Sequence, residues 1–408
     1  MPADIAAGTR SDPLGLLVTR LPPAVLDAIQ DEVRARTAAA GLVALLTDDP
    51  EDVAYLTGFF HHPCERPVAV LVRPDGGTVL LLPELERQHA EEQHVRAEIV
   101  GYAEYPGVEN PFAALARAAG SAVRTGRVGV TTAITQHRLA LASAALPHID
   151  WSPTDLVTRT RFVKRPEEVA LHREAARITD LMLVAGIALL AEAVRAGGPL
   201  PTEQEIAAHV TRTGTATMHA EHADVVVVPS LAGGLVYAGP NSAIPHGRPS
   251  GYRLRAGDTF MLSLGCAVGG RFVEGERTFV LGEPTADQRR FHDVVREAQA
   301  EGARAIEPGT RCTDSNARCL DVIRAHGFGG YLRHRQGHGI GLGMHEPPWL
   351  ADGDPTVLEP GMVVSNEPGI YVPGHAGYRI SDSVLVTEHG SEPLTRHPRE
   401  LDACTVPV

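Results

Sequence analysis

Paired cysteine motifs, a basic surface and long apolar runs are all missing from this chain of 408 residues, and aromatics make up only 5% of it. Its five cysteines (Cys64, Cys266, Cys312, Cys319, Cys404) are odd in number and form no CxxC pair. That excludes a disulfide framework or a zinc knuckle and fits a reducing, cytoplasmic setting. Cys312 and Cys319, one heptad apart on an expected helix, read as buried packing residues. Lysine plus arginine (37) fall short of aspartate plus glutamate (50), giving a net charge of -13. This balance argues against nucleic acid or an anionic membrane as partner and suits a small cationic molecule. The longest apolar run, LMLVAGIALLAEAV from Leu181, breaks at Glu192 and is too short to span a bilayer. The N-terminal MPADIAAGTRSDPLG lacks both a basic start and an apolar signal core, so export is not expected. No low-complexity tract or internal repeat stands out.

What is present is the composition of an enzyme with many turns: 43% hydrophobic, 21% charged, with 41 Gly and 31 Pro. The length calls for two domains. Between Leu42 and Trp151, short β-rich runs alternate with helical stretches, and VAVLV-RPDGG-TVLLL spells out a hairpin. Arg165-Pro166-Glu167 opens a long amphipathic helix through Arg195, so the junction falls between Leu156 and Lys164. The expected division is an α/β domain over residues 1–160 and a second domain over 161–408. In the second, Thr202 and Thr285 cap helices, and strands are expected at ADVVVVPS, TFMLSLGCAV, GRFVEGERTFVLG, GMVVSNEPG and SDSVLVTE. Strands and helices without a repeated βαβ unit make the fold class α+β.

Polar chemistry concentrates in five segments of the second half: GPNSAIPHG with His246, FVEGERTFVLG with Glu274 and Glu276, GHGIGLGMHE with His338 and His345, SNEPGIY with Glu367, and GYRISD with Arg379 and Ser381. Glu274 and Glu276 lie two apart on a strand, so both carboxylates face the same side and require a cation in front of them. Arg271 or Arg277 would make this a structural ion network; a metal or a substrate would make it a site. His219 and His222 have helix-like metal spacing but no partner motif, and read as structural or surface residues.

In this order and spacing the set resembles the creatinase and methionine aminopeptidase ("pita-bread") superfamily from Val53 to Pro393. The resemblance implies an α+β architecture: a smaller N-terminal α/β domain, then a C-terminal domain with a curved antiparallel sheet backed by helices, in a homodimer. Metal-dependent members hold two divalent ions on two aspartates, a histidine and two glutamates, which fall here on Ser263, Glu274, His338, Glu367 and Ser381. Two neutral serines leave too little negative charge for a paired centre. Creatinase itself is similar at Gly257-Asp258 and Glu276-Arg277-Thr278. It implies that Glu276 and Glu367 grip a cationic substrate while His246 moves protons. His345 then orients or polarises the attacked group, and His338 supports the carboxylates. By the same resemblance Arg66, in YLTGFFHHPCERPVAVLV, takes a substrate carboxylate and closes over the partner subunit's site. The run EPPWLADGDP carries no arginine where creatinase has its second one, and Trp349 becomes a wall of the pocket.

The expectation is a hydrolase of creatinase type, metal-independent and without cofactor. It cleaves a carbon–nitrogen bond in a small amidine, guanidino or amide substrate with His246, Glu276, Glu367 and His345, and binds that substrate through Arg66, His338, Glu274 and Arg379. Two alternatives stand beside it. One is a metal-dependent Xaa-Pro aminopeptidase or dipeptidase with one ion on Glu274, His338 and Glu367. The other is a binding module that kept the fold and lost the chemistry.

Overall fold

The computed structural model describes residues 10–74, 76–104, 109–226 and 228–408, which form two compact units. One comprises Arg20–Arg161 with Val226–Pro229. The other comprises Phe162–Val225 and Ser230–Val408, together with the N-terminal stretch through Thr19.

The first unit is built on a six-stranded sheet in the order Glu98–Tyr102, Gly76–Pro83, Ala69–Arg73, Ala44–Thr47, Gly126–Thr131, Ile149–Thr154. The expected hairpin is there, pairing Val72 with Thr78 and Val70 with Leu80; its Asp75 lies outside the described residues. The central Ala44–Thr47 strand is buried at all four positions, as a strand covered on both faces must be. Leu46, Leu71, Val79, Leu81, Phe112 and Leu115 form the core. Asp49 caps the Pro50–Thr57 helix by accepting from Glu51 N (3.0 Å) and Asp52 N (3.1 Å).

The second unit carries the expected curved antiparallel sheet backed by helices. Its main path runs Glu346–Leu350, Gly337–Gly339, Val363–Asn366, Ser381–Thr387, Arg271–Leu281, Thr259–Val268, Ala232–Ala238. The long helix Pro166–Ala196 starts at its proline and packs on the two longest strands. Thr202 with Glu205 and Thr285 with Gln288 form the expected capping boxes. The expected strand ADVVVVPS is a correction: among its described residues none is in a strand. The place beside Thr259–Val268 is taken by AGGLVYA, pairing Ala238 with Phe260. Its glycines explain the choice, because a Cβ at Gly234 would stand 2.0 Å from the Ser263 carbonyl oxygen.

Gly275 decides which way the glutamates face. A Cβ there would meet Thr179 of the long helix at 3.1 Å and Thr395 at 3.0 Å, so the residue is tucked under the helix layer. Alternation then turns Glu274 and Glu276 to the opposite face of the sheet.

Arg277 points to the helix side and is fully buried, with every donor answered. Nη2 donates to Asp382 Oδ1 (2.8 Å), Nη1 to the Glu276 and Ser381 carbonyls (2.8 and 2.7 Å), and Nε to His397 and Pro398 (3.0 Å each). Asp382 also accepts from Gln299 Nε2 (2.5 Å), Thr395 Oγ1 (2.7 Å) and Arg399 Nε (2.6 Å). This network ties the Arg271–Leu281 strand to Ser381–Thr387. The four cysteines besides the exposed Cys64 are buried and free, and His222 bonds Glu174 (2.9 Å), as a structural reading requires. Among the described residues no helix is long and apolar enough to cross a membrane.

Burial alone would raise the Asp382 carboxyl, but Arg277 and Arg399 outweigh it and hold its pKa below the ordinary value. The stability this group contributes is therefore present above its unfolded-state pKa of about 3.9 and is lost as pH falls through the lower folded-state value. Asp382→Asn is expected to cost about 3–5 kcal/mol in urea unfolding at pH 7, because it strands the Arg277 charge. The variant should also lose part of the acid-side fall in stability below about pH 4 that the parent shows.

Candidate active site

Strand register assembles the first part of the site. Ser263 pairs with Glu276 across one ladder and Glu276 with Ser381 across the next, so the three side chains stand in a row on one face. Arg379 reaches this row from the short hairpin Gly369–Val372 and Ala376–Arg379. Its backbone is clipped by Thr278, whose hydroxyl accepts from Arg379 N and donates to Arg379 O, both at 2.8 Å. The guanidinium grips Glu276 in a bidentate ion pair, Nη2 to Oε1 at 2.8 Å and Nε against Oε2. It also donates to Ser263 Oγ (3.2 Å) and the Tyr371 hydroxyl (3.2 Å). Both partners are buried. The cation in front of the opening glutamates is thus neither of the two arginines nearest in sequence, since Arg271 pairs with Glu168 (2.8 Å) and Arg277 with Asp382.

Beside this pair lies a second cluster. His338 Nδ1 faces the Gly339 carbonyl (3.0 Å) and must donate to it, which leaves Nε2 pointing between Glu367 Oε1 (3.2 Å) and Glu274 Oε2 (3.8 Å). Nε2 is buried and not aligned for a hydrogen bond with either. The His345 ring is 4.1 Å from that of His338. Ser381 donates to Glu274 Oε1 (3.0 Å), while Ser365 Oγ accepts from His338 N (2.9 Å) and lies 3.4 Å from Glu367 Oε1. Burial and the Glu367 charge push the Glu274 carboxyl up; Glu367 goes the other way, His338 outweighing its burial. Burial opposes a charge on His338, but the two carboxylates carry its pKa up to about 9. Partial burial and the neighbouring His338 lower His345 to about 4.

His246 sits on an exposed turn after Gly239–Ala243. The loop is held at both ends by the buried Glu203. Its carboxylate accepts from Ala238 N (2.7 Å), Asn241 Nδ2 (3.1 Å), Ser250 N (2.8 Å) and Ser250 Oγ (2.6 Å). Tyr237 adds a bond to the Pro245 carbonyl (2.7 Å). His334 accepts at Nε2 from the Tyr371 hydroxyl (2.8 Å), since its Nδ1 donates to the Arg335 carbonyl (2.8 Å).

The structure thus brings together Glu276 with Arg379, and Glu274, Glu367 and His345 about His338, on neighbouring strands, with His246 on an exposed turn. Arg66 belongs to the other unit, where it pairs with Glu65 (2.9 Å) and Glu104 (2.7 Å). Sequence reasoning passed over Glu203, His334, Tyr237 and Tyr371. His334, four residues before His338, carried the only readable signal; a buried tyrosine or a cap-position glutamate has none.

The donor set does not fit two divalent ions. Where carboxylates would be needed, Ser263 is engaged by Glu276 and Arg379, and Ser381 by Glu274. The fixed Arg379 charge also repels a cation on that side. One ion fits. Donor atoms of Glu274, His338 and His345 lie within 4.8 Å of one another, and His338 Nε2, paired with Glu367 at 3.2 Å and 3.8 Å from Glu274, would give up its proton to an ion bound there. Of the three carboxylates, Arg379 answers Glu276, and the two left over match one divalent charge.

Comparison with known proteins adds the family. The model of metallopeptidase family M24 matches residues 170–388, and that of the creatinase/prolidase N-terminal domain matches residues 30–163. A probable dipeptidase PepE of Mycobacterium tuberculosis is 34% identical over 383 residues, 92% of this chain and 95% of its own. The crystal structure of dipeptidase PepE from Mycobacterium ulcerans matches with a TM-score of 0.82 and 29% identity, covering 95% of this chain and all of that one. An Xaa-Pro dipeptidase from Bacillus anthracis matches with a TM-score of 0.80 and 28% identity, covering 92% and 99%. These names overturn the expectation of a metal-independent, creatinase-type amidinohydrolase. The physical reason is visible in the site: Glu276, expected to grip a substrate guanidinium, already grips that of Arg379. The chain is a member of metallopeptidase family M24, with a creatinase/prolidase N-terminal domain.

Proposed function

We propose that this protein is a hydrolase of short peptides of the Xaa-Pro dipeptidase type, acting on a peptide carbon–nitrogen bond with a single divalent ion. The observation that carries the proposal is the buried Nε2 of His338, set between Glu367 (3.2 Å) and Glu274 (3.8 Å), in a chain whose full-length relatives are named dipeptidases.

Glu274, His338 and Glu367 would hold the ion, beside His345, and the ion would supply Lewis acidity for a peptide carbonyl and a lowered pKa for a water. The remaining chemistry belongs to the chain. Ser381 and Ser365 fix the two carboxylates by hydrogen bonds, and the Gly339 carbonyl fixes the His338 tautomer. The Glu276–Arg379 pair sets a fixed positive charge beside Ser263 and holds Tyr371 toward His334. His345, kept neutral, donates from its ring to the developing oxyanion. His246, on a loop anchored at both ends, delivers the proton to the leaving nitrogen.

Protein stripped with a chelator is expected to leave Ala-Pro uncleaved and to recover when manganese, cobalt or zinc is restored, with elemental analysis giving one ion per chain. Turnover that survives chelation, or two ions per chain, would defeat the proposal. Glu274→Gln, Glu367→Gln and His338→Ala should each lose the ion on gel filtration, whereas Ser263→Ala should keep it. His246→Ala is expected to retain the ion and lower kcat by about 10²–10⁴-fold; an unchanged kcat removes His246 from the mechanism.

A further inference from the structure

A site that accepts a dipeptide has to recognise a free carboxylate close to the bond it breaks, and the cations nearest the centre are already spent. Arg379 is committed to Glu276, and the buried Lys164 pairs with Glu346 at 3.1 Å. The stretch after His345 carries no arginine. Arg335 has a guanidinium with no carboxylate partner among the described residues. Arg335 lies with its Cζ 4.4 Å from the centre of the Trp349 ring, and Trp349 is the cross-strand partner of His338. Residues directly opposite each other in an antiparallel pair share a face, so the indole and the arginine stacked on it stand at the edge of the ion cluster.

We infer that Arg335, stacked on Trp349, is the specificity residue that binds the free C-terminal carboxylate of the substrate. The inference rests on the proposed peptidase reading and names the end of the peptide it recognises.

Three features support it. Arg335 Nε is tied to the Gly337 carbonyl (2.9 Å), the residue just before His338, which fixes the guanidinium relative to the centre. No hydrogen bond or ion pair among the described residues occupies its two Nη groups, so the outer edge of the fork is open for a bidentate carboxylate. Stacking on the indole stiffens an otherwise mobile side chain and lowers the entropy lost on binding. Trp349, expected from the sequence as a pocket wall, thereby becomes the platform for a cation that comes from a different loop.

The test uses the ion-loaded protein and two pairs of probes: Ala-Pro against Ala-Pro amide in kinetics, and L-proline against prolinamide in calorimetry. The parent is expected to favour each free acid by at least about tenfold, the worth of one charge-assisted contact. Arg335→Gln should abolish that preference, mainly through KM, with circular dichroism unchanged. Arg335→Lys should keep part of it, and Trp349→Leu should weaken it several-fold. A preference that persists in Arg335→Gln, or none in the parent, overturns the inference. Arg335-dependent selectivity for L-proline in a protein that cleaves no peptide supports the inference and overturns the proposed activity alone. Equal cleavage of Ala-Pro and its amide, whether or not Arg335 is present, does the reverse.

Discussion

A guanidinium buried among carboxylates organises this site. Three glutamates crowd one face of the sheet, an arrangement that burial alone makes costly for every charge in it. The bidentate pairing of Arg379 with Glu276 removes one of them from contention and adds a fixed positive charge beside Ser263. What remains, Glu274 and Glu367 about His338 Nε2, is the set on which the proposed single divalent ion rests. Had Glu276 been left without its arginine, the same pocket would call for a cation from outside, and a guanidino substrate would be a natural occupant.

The scaffold makes that arrangement rigid by using both faces of one strand. Glu276 and Arg277 are neighbours in the chain and opposite in direction. In front, Glu276 meets Arg379; behind, Arg277 meets Asp382 and donates to the carbonyls of Glu276 and Ser381. The two ion pairs stand back to back across the sheet. Gly275 lets Thr179 and Thr395 close on the rear of the strand, so the row Ser263, Glu276, Ser381 is held from behind by packing and by hydrogen bonds that leave no donor of Arg277 unanswered.

Much of this was legible beforehand. TFMLSLGCAV and the strand containing Glu274 and Glu276 were bounded by their own alternation and glycines, and the Thr202 and Thr285 caps by their side-chain chemistry. The candidate site residues were marked by an ordered set of segments that resembles the creatinase and methionine aminopeptidase superfamily. ADVVVVPS failed because a run of valines states only that it is apolar; which segment takes the edge of the ladder depended on glycines that allow close backbone approach. The partner of Glu276 was misjudged for a similar reason. Arg271 and Arg277 are near in sequence, but Arg379 comes from a hairpin about a hundred residues on, and no local signal connects them.

By itself the sequence determined the kinds of groups available: acidic side chains paired on one strand face, histidines on glycine-rich segments, and two serines in place of carboxylates. Alternation, capping and charge follow from neighbours along the chain, so a linear reading recovers them. Only the tertiary structure decided who neutralises whom. Arg379 on Glu276, Arg277 on Asp382, Lys164 on Glu346 and Arg335 on Trp349 are all pairings set by strand register and loop closure. Charge interactions strengthen steeply in a water-poor interior at distances of a few ångströms, and only folding fixes those distances.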